Sequence, residues 1–124
     1  MFRSKKKRSY PEQQEQIAFF NYLELAHRKY VDVCFSIPNE GKRTGVQLFI
    51  MCNAGLTPGI PDVFCAIPNK INHGLFIEFK HGNKKLSPAQ KRMIPLLQSM
   101  GYQCNVCSSA EEAITIFKEY VSNI

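Results

Sequence analysis

Apolar and polar positions alternate along this chain in two rhythms, one of about 3.6 residues and one of about two, and the switches between them mark its elements. After Pro11, a residue suited to a first helical position, Ile17, Phe20, Leu23 and Ala26 or His27 recur at helical spacing and predict a helix over 11–28. Residues 31–37 read as a strand. Thr44-x-x-Gln47 fits a capping box opening a short helix that closes at Gly55. Two runs rich in β-forming residues, 62–67 and 75–79, flank the turn-prone stretch from Pro68 to Gly74 and predict a β-hairpin with a long loop. Ser87-Pro88-Ala89-Gln90 opens a third helix that ends at Gly101, and 102–107 reads as another strand. Ser109-x-x-Glu112 then opens a terminal helix with Ile114, Phe117 and Val121 on its buried side. The resulting order, α-β-α-β-β-α-β-α, implies one α/β domain over 10–124 after a basic, disordered tail over 1–9.

The hairpin carries the chemistry. Side chains of a strand alternate between faces, so Glu78 and Lys80 emerge together while Leu75, Ile77 and Phe79 point the other way into a core. Asp62, at the start of the partner strand within Gly59-Ile60-Pro61-Asp62, can approach Glu78. Two carboxylates held so close repel unless one keeps a proton or a cation lies between them. A hard divalent cation, Mg2+ or Mn2+, suits two carboxylates and the Phe79 carbonyl, with positions left for water and a phosphate oxygen. Such an ion polarises a phosphoryl group and acidifies water, and Lys80 can orient the water or neutralise charge on the phosphate oxygens. A Glu-x-Lys triplet is common by chance, and the chain has a second in Glu40-Gly41-Lys42. That one lies in a loop without apolar alternation, so nothing fixes its side chains on one face.

Charge and cysteine content narrow the reading further. The net charge is +6, but five of the sixteen basic residues precede position 9, so eleven face ten acids in the remainder. The tail can add salt-sensitive attraction to nucleic-acid phosphates, and no segment resembles a secretory signal or a membrane span, which places the protein in the cytosol. No Asp or Glu occurs between Glu78 and Glu111, an interval holding Lys80, Lys84, Lys85, Lys91 and Arg92. That local excess borders the site where an anionic polymer would lie. Five cysteines, an odd number without a secretion signal, suggest free thiols rather than a disulfide framework. Cys104-x-x-Cys107 invites a redox or zinc reading, but on a strand its sulfurs point to opposite faces and no second ligand pair accompanies it.

With Gly-x-Pro-Asp, Glu-x-Lys and Ser-Pro-Ala-Gln set in this order, the sequence resembles the virus-type replication-repair nuclease (VRR-NUC) family. That family is a branch of the PD-(D/E)xK superfamily with the restriction-endonuclease-like fold, a central mixed β-sheet flanked by helices. The resemblance spans 11–120 and includes Pro11-Glu12-x-x-x-Gln16, the loop Ile37-Pro38-Asn39-x-Gly41-Lys42-Arg43 and Leu86-Ser87-Pro88-x-Gln90. It implies Asp62, Glu78 and the Phe79 carbonyl as metal ligands, Lys80 as the catalytic lysine, and Glu12 as a further carboxylate on the metal or its water. Gln16, one turn on, would share that face and touch nucleic acid with Asn39. Gln90 would be a polar residue of the site. Glu12 also suits a helix N-terminus on electrostatic grounds. Glu15, where family members often carry an apolar residue, is the alternative ligand if the register shifts. Gln90 also fits as capping-box partner of Ser87, and one rotamer is not expected to fill both roles. Lys42, Arg43, Lys84 and Lys85 are candidate contacts to the DNA backbone.

The resemblance therefore implies a Mg2+- or Mn2+-dependent endonuclease acting on branched, flap or junction DNA in phage or bacterial replication and repair. Short free-standing members of the family imply a homodimer, with the helix around Leu48, Phe49 and Met51, or the terminal helix, as its contact. The rivals are a nucleic-acid-binding module of the same fold without turnover, a thiol-redox protein using Cys104 and Cys107, and cleavage of RNA rather than DNA.

Overall fold

The computed structural model describes residues 11–38 and 45–124. The basic tail, Thr44 of the first capping box, and Asn39, Lys42 and Arg43 lie outside the described residues. Within them the elements are α1 (Pro11–Ala26), a 3-10 segment (Arg28–Val33), β1 (Cys34–Ser36), α2 (Gly45–Asn53), β2 (Val63–Cys65), β3 (Gly74–Phe79), α3 (Pro88–Ser99), β4 (Tyr102–Cys107) and α4 (Ala110–Val121). The strands form one sheet in the order β1-β2-β3-β4. The first two pairings are antiparallel and the third is parallel, so the sheet is mixed and flanked by helices, as expected. Among the described residues no helix is long and apolar enough to cross a membrane.

Local chemistry explains where the helices stop and start. The Gly55 N–H reaches the Cys52 carbonyl and the Leu56 N–H reaches Met51, a closure that needs the left-handed backbone Gly55 adopts at φ +105°. Ser87 caps α3 in a complete capping box with Gln90, followed by Pro88 at the first helical position. At α4, Ser109 Oγ accepts the Glu112 N–H at 3.2 Å, but the Glu112 carboxylate turns back to the Ser108 N–H at 2.8 Å rather than to Ser109.

One face of the sheet makes the main core. Val63, Cys65, Leu75, Ile77 and Phe79 pack against Phe19 and Leu23 of α1 and Ala113, Phe117 and Tyr120 of α4. The rings of Phe19, Phe79 and Phe117 meet at centroid separations of 5.9 and 6.2 Å. The rotation of α1 differs from the periodicity reading, because Ile17 is 54% exposed and Ala26 is on the surface, while Phe19 and Leu23 are fully buried. A polar contact accounts for the turn: Glu15 Oε2 accepts the Ala110 N–H at 2.7 Å, docking α1 on the N-terminus of α4. On α4 the fully buried stripe is Ala113, Phe117 and Tyr120, and Ile114 and Val121 lie half-buried beside it. The strand expected over 31–37 is shorter than read. Its first part is wound into the 3-10 segment, with Tyr30 and Val31 turned inward against the core.

The other face carries the candidate chemistry, and α3 is seated there by a close approach. Gly59 sits at φ +90°, where a Cβ would lie 2.4 Å from the Ala89 carbonyl oxygen in the first turn of α3. Only glycine lets the chain ahead of Pro61-Asp62 pass so near. Gly59→Ala is therefore expected to cost clearly more stability in denaturant unfolding than Gly55→Ala. The latter meets open space at a similarly positive φ and should lose only the roughly 1 kcal/mol of backbone strain.

Candidate active site

Asp62 stands one residue before β2, opposite Glu78 of β3 in the register that pairs Val63 with Ile77. Residues opposed in an antiparallel pair share a face, which brings both carboxylates to the same side of the sheet. Backbone hydrogen bonds interlock them. The Asp62 N–H donates to Glu78 Oε1 at 3.1 Å, and the Phe79 N–H donates to Asp62 Oδ2 at 3.0 Å. Each carboxylate is thus held by the main chain beside the other one. Lys80, next on that face, brings its ammonium 3.3 Å from Glu78 Oε2, with its own side chain only 12% exposed.

Every residue of β3 is buried, and Glu78 is 1% exposed. Burial raises its carboxyl to about 7, and the negative charge of Asp62 adds to that. Lys80 and the Gln90 amide pull in the opposite direction. Glu78 Oε2 has no aligned hydrogen bond, although the Lys80 ammonium is in ion-pair range. A buried carboxylate oxygen with a lone pair to spare, beside a second carboxylate, is a place that a cation stabilises.

Gln90 is the capping-box partner of Ser87. Its Oε1 accepts the Ser87 N–H at 2.9 Å while Ser87 Oγ accepts the Gln90 N–H at 3.2 Å. In that same rotamer the buried side chain lies near enough to the Glu78 carboxylate to favour its charged form. The amide thus caps α3 while standing beside the carboxylate. A cavity of about 230 Å³ opens at this point, lined by Pro58, Gly59, Ile60, Asp62, Lys80, Ser87, Ala89 and Gln90. Ser87 and Ala89 were legible in the sequence only as a cap and a helix residue, with no local signal of their place on the cavity wall.

Glu12 is placed differently from Asp62 and Glu78. Its Oε1 lies 3.2 Å from the Lys84 ammonium and accepts the His81 N–H at 3.3 Å, so α1 is tied to the loop that follows Lys80. Lys84, a candidate DNA contact, spends its charge on this pair, while Lys85 is exposed in the same loop. Glu15, the alternative ligand, accepts the Ala110 N–H at the start of α4. Gln16 lies half-buried one turn beyond Glu12. Among the described residues, no three His, Cys, Asp or Glu side chains converge closely enough to form a metal cage by themselves. The donor set on the sheet is two carboxylates, which fits magnesium or manganese, ions that retain several waters, better than zinc, which favours nitrogen and sulfur. Phe79 has its ring in the core at 1% exposure, so only its main chain can take part. Asn39, Lys42 and Arg43 lie outside the described residues.

Cys104 and Cys107 occupy β4 at the registers of Phe76 and Phe79, three residues apart and therefore on opposite faces. Burial raises their thiols to about 11 and about 12, which leaves neither a ready nucleophile.

The family model described as "VRR-NUC domain" matches residues 5–111. A solved structure described as "VRR_NUC domain protein" superposes with a TM-score of 0.80 at 25% identity, covering 94% of this chain and 92% of that one. No curated protein matches the chain. With a family model spanning most of its length and a solved structure of the same fold, the chain belongs to the VRR-NUC domain family, a family of nuclease type.

Proposed function

We propose that this protein is a metal-dependent endonuclease that hydrolyses DNA phosphodiesters, selecting branched, flap or junction structures, with Asp62, Glu78 and Lys80 as its reacting centre. The observation that carries the reading is the convergence of two main-chain-held carboxylates and one ammonium on a single sheet face at the mouth of a cavity. Asp62 and Glu78 would hold a magnesium or manganese ion, assisted by the Phe79 carbonyl. When bound, such an ion supplies Lewis-acid activation of the phosphodiester and of the attacking water.

The chain's own residues supply the rest. Lys80 is close enough to Glu78 to be fixed in direction, and its ammonium can neutralise charge on the phosphate oxygens or orient the incoming water. Gln90 steadies the Glu78 carboxylate and joins it to the first turn of α3, whose Lys91 and Arg92 lie exposed for backbone contacts. Glu12 holds Lys84 and the loop after β3 beside the site.

The second copy that junction cleavage calls for has a candidate contact in α2. Val46, Leu48, Phe49 and Ile50 are 41–73% exposed and no residue of this helix is buried, whereas α4 spends its apolar stripe on the core. An apolar helix left in water is a common mark of a protein interface. Of the two helices proposed from sequence, the packing favours α2.

Three outcomes follow. On a panel of single-stranded, duplex, flap and four-way DNAs with magnesium or manganese, the parent should cut while Asp62→Asn and Lys80→Ala lose activity by about a hundredfold or more, remaining folded and able to bind DNA. Retardation without cutting by the parent under every condition would instead identify a binding module. In chelator, a carboxyl whose folded pKa is raised from 4.5 to about 7 gives stability that is present below about pH 4.5 and lost as pH climbs through 7. Thermal unfolding of the parent should therefore decline across that window by up to roughly 2–3 kcal/mol, Glu78→Gln should remove the decline, and added divalent cation should reverse it. Phe49→Glu should shift the particle from dimer to monomer in light scattering at micromolar concentration, with the melting profile of the fold retained.

A further inference from the structure

The main-chain bonds between β1 and β2 place Cys34 and Cys65 in an unusual position. Ile37 N–H donates to the Asp62 carbonyl, and Ala66 N–H to the Val33 carbonyl, which marks 37/62 and 33/66 as hydrogen-bonded pairs of the antiparallel ladder. Such pairs alternate, so 35/64 is also of that type and Cys34/Cys65 between them is a non-hydrogen-bonded pair. At these sites the Cα atoms approach to about 4.5 Å and the side chains on the shared face are at their closest. That separation falls inside the range of roughly 4.4–6.8 Å which a disulfide requires. Both thiols are free, both face the main core, and each perturbs the titration of the other.

We propose that Cys34 and Cys65 are a latent dithiol which small-molecule disulfides of the glutathione class convert into a cross-strand disulfide that clamps β1 to β2. Cys34 is the point of entry. It lies on β1, a strand of three residues at the edge of the sheet, paired only to β2 and thus the easiest strand to open transiently. Its contact with the Cys65 thiol also keeps its pKa below the ordinary thiol value, whereas burial and the same contact push Cys65 up. The Cys34 thiolate attacks one sulfur of the external disulfide, breaking that S–S bond and releasing one thiolate that takes up a proton. Cys65 then gives up its proton and attacks the Cys34 sulfur, expelling the second small thiol. Two protein thiols are oxidised and one external disulfide is reduced to two thiols.

No other cysteine competes for either partner. Cys52 sits exposed on α2, Cys107 is opposite Phe79 rather than Leu75, and Cys104 faces the other side of the sheet. The clamp would hold β2, the strand that starts directly after Asp62, and it closes the whole segment from 34 to 65 in the unfolded chain.

The test is independent of nuclease activity. The full chain is equilibrated with oxidised and reduced glutathione at graded ratios, unfolded in acid, alkylated and mapped by mass spectrometry. The expected result is loss of two alkylatable thiols with a peptide containing Cys34 joined to one containing Cys65, a melting temperature raised on the order of 10 °C, and reversal of both by dithiothreitol. The Cys52→Ser variant should give the same linkage, and Cys65→Ala should stop at a glutathione adduct on Cys34. Recovery of Cys34 and Cys65 as free thiols under conditions that have already modified Cys52 would overturn the proposal. So would a linkage to any other cysteine.

Discussion

The site depends on one exchange of hydrogen bonds at the open end of the β2–β3 ladder, in which main-chain N–H groups serve two carboxylates instead of carbonyls. In an uninterrupted sheet those donors would meet main-chain carbonyls of the neighbouring strands. Here Asp62 N–H turns to the Glu78 side chain and Phe79 N–H to the Asp62 side chain. The strands thereby end in a fixed negative pocket rather than in frayed backbone. Because the donors belong to the sheet, the carboxylates are oriented without recruiting long, flexible partners, and little ordering entropy remains to be lost when a cation arrives.

Orientation alone would not make the pocket reactive; its burial does. Glu78 is 1% exposed, and that burial lifts its carboxyl towards neutrality, while Lys80 and Gln90 offset only part of that cost. A residue so placed destabilises the ionised protein and is relieved by positive charge. The arrangement is an instance of stability given up locally where a function needs it. The rest of the fold compensates through the aromatic core of Phe19, Phe79 and Phe117 on the opposite face. The same strand, β3, supplies Phe79 to that core and Glu78 to the site, so the two faces cannot shift independently.

Much of this was legible in the chain because it is written in local pattern. The period-two alternation around Glu78 assigned faces correctly, the Ser87 and Ser109 caps and the closing glycines at 55 and 101 located helix ends, and β4 spans the residues expected. What escaped depends on partners distant in sequence. The rotation of α1 is set by Glu15 reaching the start of α4, ninety-five positions away, so Ile17 faces water despite its helical spacing. Glu12 pairs with Lys84, a partner that no local pattern names. Gln90 caps α3 and is buried beside Glu78, a proximity that no local pattern in the sequence announces. The 3-10 segment replaced half of a β-rich run because Tyr30 and Val31 are drawn into the core.

The central claim is that residues 62 and 78 hold one divalent ion between them, and the most direct measurement is an anomalous difference map from crystals soaked in manganese. The account requires a peak within coordination distance of both carboxylates, on the face that carries Lys80 and the α3 cavity. A protein that takes up manganese only elsewhere, or that engages one of these carboxylates without the other, would contradict it.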